Sequence, residues 1–177
     1  IPVVYNSSGY ESYDTLRMLD GLIDVYLPDL KYNDPTVAAK HSGAPDYFDV
    51  ASRAIDEMVH QTGTPVFADP GCQVDEGIML RGMIVRHLVL PGHTDDSRRV
   101  ISYLHERYGN DIYISIMNQY TPMPRVRDYE DLGRALFNYE YSEVVDFAVS
   151  IGVKNGFIQE GGTVAESFIP PFNCEGV

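Results

Sequence analysis

The sequence has few cysteines, little positive charge and no long apolar run, and each shortage argues against a class of protein. Its two cysteines, Cys72 and Cys174, lie far apart among 177 residues and match no metal-ligand spacing. Thirteen lysines and arginines stand against 26 aspartates and glutamates, so the formal net charge is -13. Such a surface repels phosphate backbones, which argues against nucleic acid as a partner.

No apolar run approaches the length of a membrane span, and no signal-peptide pattern opens the chain. We therefore expect no membrane partner and a cytoplasmic location. The composition, with 44% hydrophobic and 22% charged residues, is sufficient for one core. No repeat or linker divides the chain, so residues 1–177 are predicted to form a single domain. The chain begins at Ile1 rather than methionine, which suggests a piece of a longer protein.

One apolar stretch, Met83–Leu90, organises the prediction of the fold. It is closed by Pro91-Gly92 and followed by a helix over 95–108, a pattern that predicts a buried parallel strand and its crossover helix. Arg86 lies within this strand, and a buried guanidinium is costly unless an anion meets it. The anion is either a neighbouring carboxylate or a ligand. His87 is predicted to face the opposite side of the strand.

Short apolar runs and amphipathic segments alternate along the rest of the chain. Further strands are predicted at 2–5, 22–30, 111–117 and 156–160. Helices are predicted to begin near Ser12, Pro45 and Ser142, a loop or short helical segment covers 32–44, and 64–81 is predicted to be a small β-hairpin insertion. The alternation indicates the α/β class with a mostly parallel sheet.

Polar residues follow four of the predicted strands. They are Asn6–Gly9, Asp29 with Lys31, His93, and Asn118–Tyr120. Because the carboxyl ends of parallel strands meet at one edge, these residues are candidates for a shared ligand site. Polar turns alone would also explain Asn6–Gly9. Asp29 and Lys31 are two residues apart and fall on one face, which favours a binding role.

The histidines give no metal-binding pattern. None of the five pairs with another at a ligand spacing of three to five residues, so no metal site is predicted. They are His41, His60, His87, His93 and His105.

Several phrases together carry a resemblance to a known family. They are Tyr5–Tyr10 (YNSSGY), Leu22–Tyr26 (LIDVY), Tyr26–Tyr32 (YLPDLKY), Arg81–Arg86 (RGMIVR), Val85–Gly92 (VRHLVLPG) and Met117–Tyr120 (MNQY). In this order the sequence resembles radical S-adenosylmethionine (SAM) proteins of the pyruvate formate-lyase activating enzyme type.

The resemblance implies a partial (β/α) barrel. Residues 2–5, 24–31, 83–90 and 112–118 would be the third to sixth strands of a (β/α)6 barrel. The family's CxxxCxxC motif and the glycine-rich segment after its second strand do not occur in this sequence. Cys72 and Cys174 cannot replace three closely spaced thiolates. The [4Fe-4S] cluster is therefore expected in a full-length parent rather than in this chain, which by itself would be inactive.

The resemblance also implies where SAM binds. Asn6, Ser7 and Ser8 would lie near its ribose and ammonium groups, although the family often has an acidic residue at the position of Asn6. Asp29 and Lys31 match the family's Asp-x-Lys pattern. The same likeness assigns the remaining positions: Arg86 would meet SAM or an internal carboxylate, and Asn118, Gln119 and Tyr120 would approach the adenine.

The activity implied is reductive cleavage of SAM to a 5′-deoxyadenosyl radical, with a glycyl radical enzyme as a partner. Two alternatives stay open. The chain could be a non-catalytic α/β domain that binds a small molecule or a protein. It could instead be another barrel enzyme that uses Asp29 and Lys31 in acid–base or Schiff-base chemistry. In either case a barrel that lacks its first strands has residues 2–5 as an unpaired edge strand. We therefore expect this strand to pair with a second copy of the chain or to be covered by another segment.

Overall fold

The computed structural model of this protein describes residues 1–68 and 77–159, which form a six-stranded sheet and five α-helices. The strands are β1 (Val4–Ser7), β2 (Val25–Pro28), β3 (Val66–Phe67), β4 (Met79–Leu88), β5 (Tyr113–Met117) and β6 (Gly156–Ile158). The helices are α1 (Tyr13–Met18), α2 (Pro35–Ser42), α3 (Tyr47–Thr62), α4 (Thr94–Tyr108) and α5 (Asn138–Ser150), and a short 3-10 helix covers Pro124–Val126.

The sheet is mostly parallel, as predicted. Its parallel strands lie side by side in chain order, β1–β2–β4–β5–β6, while β3 runs antiparallel to the start of β4. Tyr26 of β2 lies beside Tyr5 on one side and Met83 on the other. Arg86 of β4 lies beside Ser115 of β5. The expected α/β class is thereby confirmed.

The two faces of the sheet differ in their burial. Neighbouring residues on one face are no more than 2% exposed: Tyr26, Met83, Val85, His87, Ile114 and Ile116. Those that are apolar belong to one core with the buried stripes of the helices. Several residues of the opposite face are half-buried or exposed: Asn6, Leu27, Ile84, Arg86 and Ser115. This second face is called the open face below, and three of these residues are polar or charged.

Hydrophobic periodicity predicted the two longest helices well. In α3 the positions expected to be apolar are buried, and Gly63 ends the helix with a positive φ of 66°. In α4 the buried side chains include Val100, Ile101 and Leu104. A stripe repeating every 3.6 residues buries one side of a helix whatever its partner is, so the sequence alone predicts it.

Other boundaries differ from the prediction. The start of α5 lies at Asn138, before Ser142, because the Glu140 carboxylate accepts a hydrogen bond from the Phe137 backbone N–H at 3.0 Å. The segment over 32–44 contains a regular helix, α2, whose first turn is capped by Asp34. Asp34 Oδ1 accepts hydrogen bonds from the N–H groups of Thr36 and Val37.

The second arm of the predicted hairpin is the beginning of β4, the strand around which the prediction was built. Val66 pairs with Arg81 and Phe67 with Met79, as in the arms of a hairpin, but Met79 already belongs to the ten-residue β4. The apolar run at 78–80 is therefore not a separate strand. Most of the expected turn, 69–76, and the predicted last strand residue, 160, lie outside the described residues. None of the helices within 1–68 and 77–159 has the length and apolar character of a membrane span.

Candidate functional site

The carboxyl ends of β1, β2 and β4 bring three predicted site residues together on the open face. Asn6 belongs to β1, Asp29 follows β2, and Arg86 lies near the end of β4. The backbone sets this arrangement, because Asp29 pairs with Arg86 in a parallel bridge and Leu30 N–H donates to the Arg86 carbonyl at 2.9 Å. Asp29 N–H donates in turn to Ser7 O at 3.0 Å.

Arg86 finds its anion within the protein. Its Nη2 donates a hydrogen bond to Asn6 Oδ1 at 2.7 Å and lies 2.7 Å from Asp29 Oδ1. The second contact is an ion pair. Within the part of the chain that the structure describes, Asp29 Oδ1 and Arg86 Nε have no hydrogen-bond partner although both atoms are buried. The pair therefore retains unused hydrogen-bonding capacity.

Lys31 adds a second cation to the same carboxylate. Its Nζ lies 3.6 Å from Asp29 Oδ2, and its side chain is 38% exposed, against 25% for Arg86. One carboxylate thus lies between two cations on an accessible part of the sheet. The three charges together carry a net positive charge, which suits an anionic or zwitterionic ligand.

Tyr47 of α3 holds the backbone beneath these charges. Its hydroxyl lies 2.9 Å from Ser8 O and 3.0 Å from Asp29 O, to which it can donate, and it accepts a hydrogen bond from Lys31 N–H at 3.1 Å. Burial raises the pKa of the Tyr47 phenol well above its usual value, so it remains a donor. This buried tyrosine was not predicted as a site residue, since its place on the apolar stripe of α3 indicates packing alone.

The loop after β1 passes very close to Asp29. Gly9 has a φ of 78°, and a Cβ atom at this position would lie 2.1 Å from Asp29 O. Ser7 Oγ accepts a hydrogen bond from Gly9 N–H at 3.2 Å, while Ser8 contributes its carbonyl to Tyr47. Ser7 and Ser8, both predicted to bind a ligand, thus make hydrogen bonds within the protein that hold the loop after β1 in place.

Asn118 and Gln119 occupy a separate position at the end of β5. Asn118 is buried, and its N–H donates to Gln159 Oε1 at 2.7 Å. A cavity of about 370 Å³ lies beside Asn118 and Gln159. Within the described residues no hydrogen bond or ion pair links Asn118 or Gln119 to Asp29 or Arg86. The structure therefore divides the predicted site residues between two parts of the same sheet edge.

His87 lies on the opposite side of β4 from Arg86, as the strand alternation predicted. It is 1% exposed, and its Nδ1–H donates to Leu30 O at 2.7 Å. Burial lowers the pKa of His87, so the imidazole is neutral at pH 7. The hydrogen bond from His87 to Leu30 helps to hold the segment after Asp29 against the buried face of the sheet.

A second polar cluster was not predicted from the sequence. His41 at the end of α2, His93 before α4 and Asp131 in the loop after β5 converge, and Lys40 lies beside them. Burial would raise the pKa of Asp131, but hydrogen bonds from Lys40, Leu132 N–H and His93 together lower it well below its usual value. Burial lowers the pKa of His41 despite the nearby carboxylate. Only the strand-end position of His93 was a signal in the sequence.

Comparison with known proteins finds one distant relative. The chain is 28% identical over 149 residues to the uncharacterized protein MJ0674 of Methanocaldococcus jannaschii. The match covers 84% of this chain and 38% of that protein, so the chain spans well under half of the length of its relative. No family model matches the chain.

Proposed function

We propose that this chain is the barrel body of a radical SAM enzyme similar to pyruvate formate-lyase activating enzyme. The strand order supports a partial barrel. The parallel strands follow one another in chain order without a reversal. Right-handed crossovers in such a sheet put every helix on one face, as in a (β/α) barrel, whereas a doubly wound sheet reverses its strand order. The burial of one face and the polar character of the other agree with this.

The observation that carries the proposal is the group Asn6, Asp29, Lys31 and Arg86 at the carboxyl edge of the sheet. SAM has an ammonium, a carboxylate and ribose hydroxyls. The Asp29 carboxylate, whose side chain is 17% exposed, can accept hydrogen bonds from the ammonium or the hydroxyls. Arg86 and Lys31 can meet the carboxylate of the ligand. The donor set therefore fits the zwitterionic end of SAM.

In such an enzyme an iron–sulfur cluster would supply the electron for the reductive cleavage of bound SAM. The residues of this chain would bind SAM, orient its amino acid end and exclude water. Cys72 and Cys174, both outside the described residues, do not have the spacing that a [4Fe-4S] cluster needs. We assign the cluster to a longer protein, in keeping with the greater length of the relative. A glycyl radical enzyme is the proposed partner.

The test is anaerobic iron–sulfur reconstitution of the full-length protein, followed by measurement of 5′-deoxyadenosine formed from SAM. Asp29→Asn and Lys31→Ala should each reduce cleavage at least roughly tenfold, because each removes a charged contact to the ligand. Asp111→Asn and Lys154→Ala are the matched controls, since these residues precede β5 and β6 at the opposite edge of the sheet. They should leave cleavage unchanged.

Two results would contradict the proposal. A full-length protein that takes up no cluster would exclude the radical SAM assignment. Cleavage that is equally fast in all four variants would remove the site from this edge of the sheet. Binding of SAM without cleavage would instead support the alternative of a non-catalytic ligand-binding domain.

A further inference from the structure

We propose that His41, His93 and Asp131 form a binding site for a divalent transition metal ion, with Zn²⁺ as the best match. The cluster shares no residue with the Asp29–Arg86 pair, and the proposal does not depend on the proposed radical chemistry. Three segments supply one ligand each: the end of α2, the turn after β4 and the loop after β5.

The distances between the ligand atoms fit one face of a coordination tetrahedron. His41 Nε2 lies 3.4 Å from His93 Nε2 and 3.4 Å from Asp131 Oδ2, and His93 Nε2 lies 3.0 Å from Asp131 Oδ2. Ligands about 2.0–2.1 Å from Zn²⁺ are roughly 3.3 Å apart in a tetrahedral site. An ion roughly 0.8 Å out of the plane of these three atoms would be about 2.05 Å from each of them.

The two imidazoles point toward this position. Their ring centroids are 5.3 Å apart, but their Nε2 atoms are only 3.4 Å apart. Each Nε2 is therefore on the side of its ring that faces the other histidine. Two neutral imidazole nitrogens and one carboxylate oxygen are typical ligands of Zn²⁺ and of other first-row divalent ions.

The surroundings resemble a site with one open coordination position. The side chain of His41 is 3% exposed, while those of His93 and Asp131 are 17% and 16% exposed. A cavity of about 370 Å³ is lined by Lys40, Gly92 and Asp131, so it borders the cluster on the side of its carboxylate. Three protein ligands and a solvent-facing fourth position are the usual arrangement of an exchangeable zinc site.

Lys40 is the group that an ion would displace. Its Nζ lies 2.6 Å from Asp131 Oδ2, the oxygen shared by both histidines. The side chain of Lys40 is 47% exposed, so it can move into solvent. Lys40 therefore competes with a metal ion for Asp131, and its removal should strengthen metal binding. An ion-pair cluster without a metal function predicts no such gain.

The experiment measures Zn²⁺ binding to the metal-free full chain by competition with a chromophoric chelator. The background variant carries Cys72→Ser and Cys174→Ser, so that thiolates cannot bind the ion. We expect one Zn²⁺ per chain, and Co²⁺ in place of Zn²⁺ should give the intense visible bands of tetrahedral coordination. His93→Ala and Asp131→Asn should each weaken binding at least roughly 100-fold. His60→Ala is the matched control, since His60 is an exposed histidine of α3.

Lys40→Met tests the proposal by a gain in metal affinity, and it leaves all three proposed ligands in place. It should raise the affinity for Zn²⁺ severalfold. The proposal is overturned if the background variant binds no stoichiometric Zn²⁺, or if binding is as strong in His93→Ala and Asp131→Asn as in His60→Ala. An unchanged affinity in Lys40→Met would also contradict it. Circular dichroism of each variant shows that the comparison is made between folded chains.

Discussion

At the scale of single residues, Arg86 shows how a half-buried cation on a central strand becomes part of a site. Its guanidinium contacts Asp29, which follows the neighbouring strand β2, and Asn6 of β1, the strand beyond it. Lys31 shares the same carboxylate. The sequence analysis left open whether a carboxylate or a ligand satisfies Arg86. The structure shows the carboxylate of Asp29 in this place.

Gly9 provides the sharpest test at this scale. Gly9→Ala should destabilise the protein by more than about 2–3 kcal/mol, because a methyl group would overlap the Asp29 carbonyl in addition to the strain of a positive φ. Gly21→Ala is the matched control, since Gly21 has nearly the same φ, 77°, and no described atom within 4 Å of its would-be Cβ. It should cost only about 1–2 kcal/mol.

Urea denaturation of both variants measures the difference. Equal free energies of unfolding would mean that the loop after β1 does not pass as close to Asp29 as the structure indicates. If Gly9→Ala folds but moves the loop, SAM binding should weaken in that variant alone, provided that the proposed function is correct.

At the scale of elements, buried carboxylates join segments that are distant in sequence. Asp96 in the first turn of α4 accepts hydrogen bonds from the N–H groups of Asn33 and Asp34, at 3.1 and 2.8 Å, and its side chain is 5% exposed. It therefore fixes the chain between Lys31 and α2 against the helix that follows β4.

Asp96→Ala should lower the free energy of unfolding by about 2–4 kcal/mol, because it leaves two largely buried amide donors without an acceptor. Asp95→Ala is the matched control. Asp95 is the preceding residue, its side chain is 82% exposed, and it contacts Arg98 only on the surface. Its loss should change stability by less than about 1 kcal/mol. Similar losses in the two variants, measured by thermal denaturation, would contradict the role given to Asp96.

Glu140 plays the corresponding part at the start of α5. Its carboxylate pairs with Arg134 at 2.7 Å and accepts hydrogen bonds from the N–H groups of Phe137 and Gly92. The bond from Arg134 makes the largest contribution, and together these contacts lower the pKa of Glu140 from 4.5 to about 2. The folded protein therefore holds this proton less tightly than the unfolded chain does.

A carboxylate whose pKa is lower in the folded than in the unfolded chain stabilises the fold fully at a pH above its unfolded pKa. This stabilisation is lost as the pH falls to the folded pKa. The contribution of Glu140, on the order of 2–3 kcal/mol, should thus disappear between about pH 4.5 and pH 2. Glu140→Gln should lower stability at pH 7 and reduce its dependence on pH in this window. A variant whose acid unfolding curve has the same steepness as that of the wild type would count against this assignment.

At the scale of the whole molecule, the sheet has an unprotected side at β1. Among the described strands β1 pairs only with β2, and Val3 and Val4 are 50% and 54% exposed. The unpaired backbone groups and apolar side chains of such an edge favour association with another strand. The self-association expected from the sequence stays a prediction, and the edge of β1 is the surface through which it would occur.

Val4→Lys should reduce self-association, because a charged side chain on an edge strand opposes pairing with another chain. Val149→Lys is the matched control, since Val149 is 69% exposed on α5 and away from β1. Sedimentation velocity over a range of concentrations measures the effect. A wild-type chain that remains monomeric at every concentration would contradict the prediction.

Local sequence patterns determined the α/β class, the parallel strands, the two long helices and the opposite orientations of Arg86 and His87. The reason is that periodicity and strand alternation are properties of consecutive residues, which act alike in any surrounding structure. The same patterns marked Asp29, Lys31 and Arg86 individually. The start of α5 was predicted near Ser142 and missed, because Glu140, paired with Arg134 six residues earlier, accepts the hydrogen bond from Phe137 N–H at the start of the helix.

Only the tertiary structure decided which of these residues meet. Asp29 reaches Arg86 because β2 and β4 are neighbours in a particular register, and Asn118 is kept apart from them by its place beyond β5. His41, His93 and Asp131 converge across 90 positions of chain because the end of α2, the turn after β4 and the loop after β5 meet. Strand register and the paths of the loops depend on packing over the whole sheet, so no local pattern in the sequence predicts them.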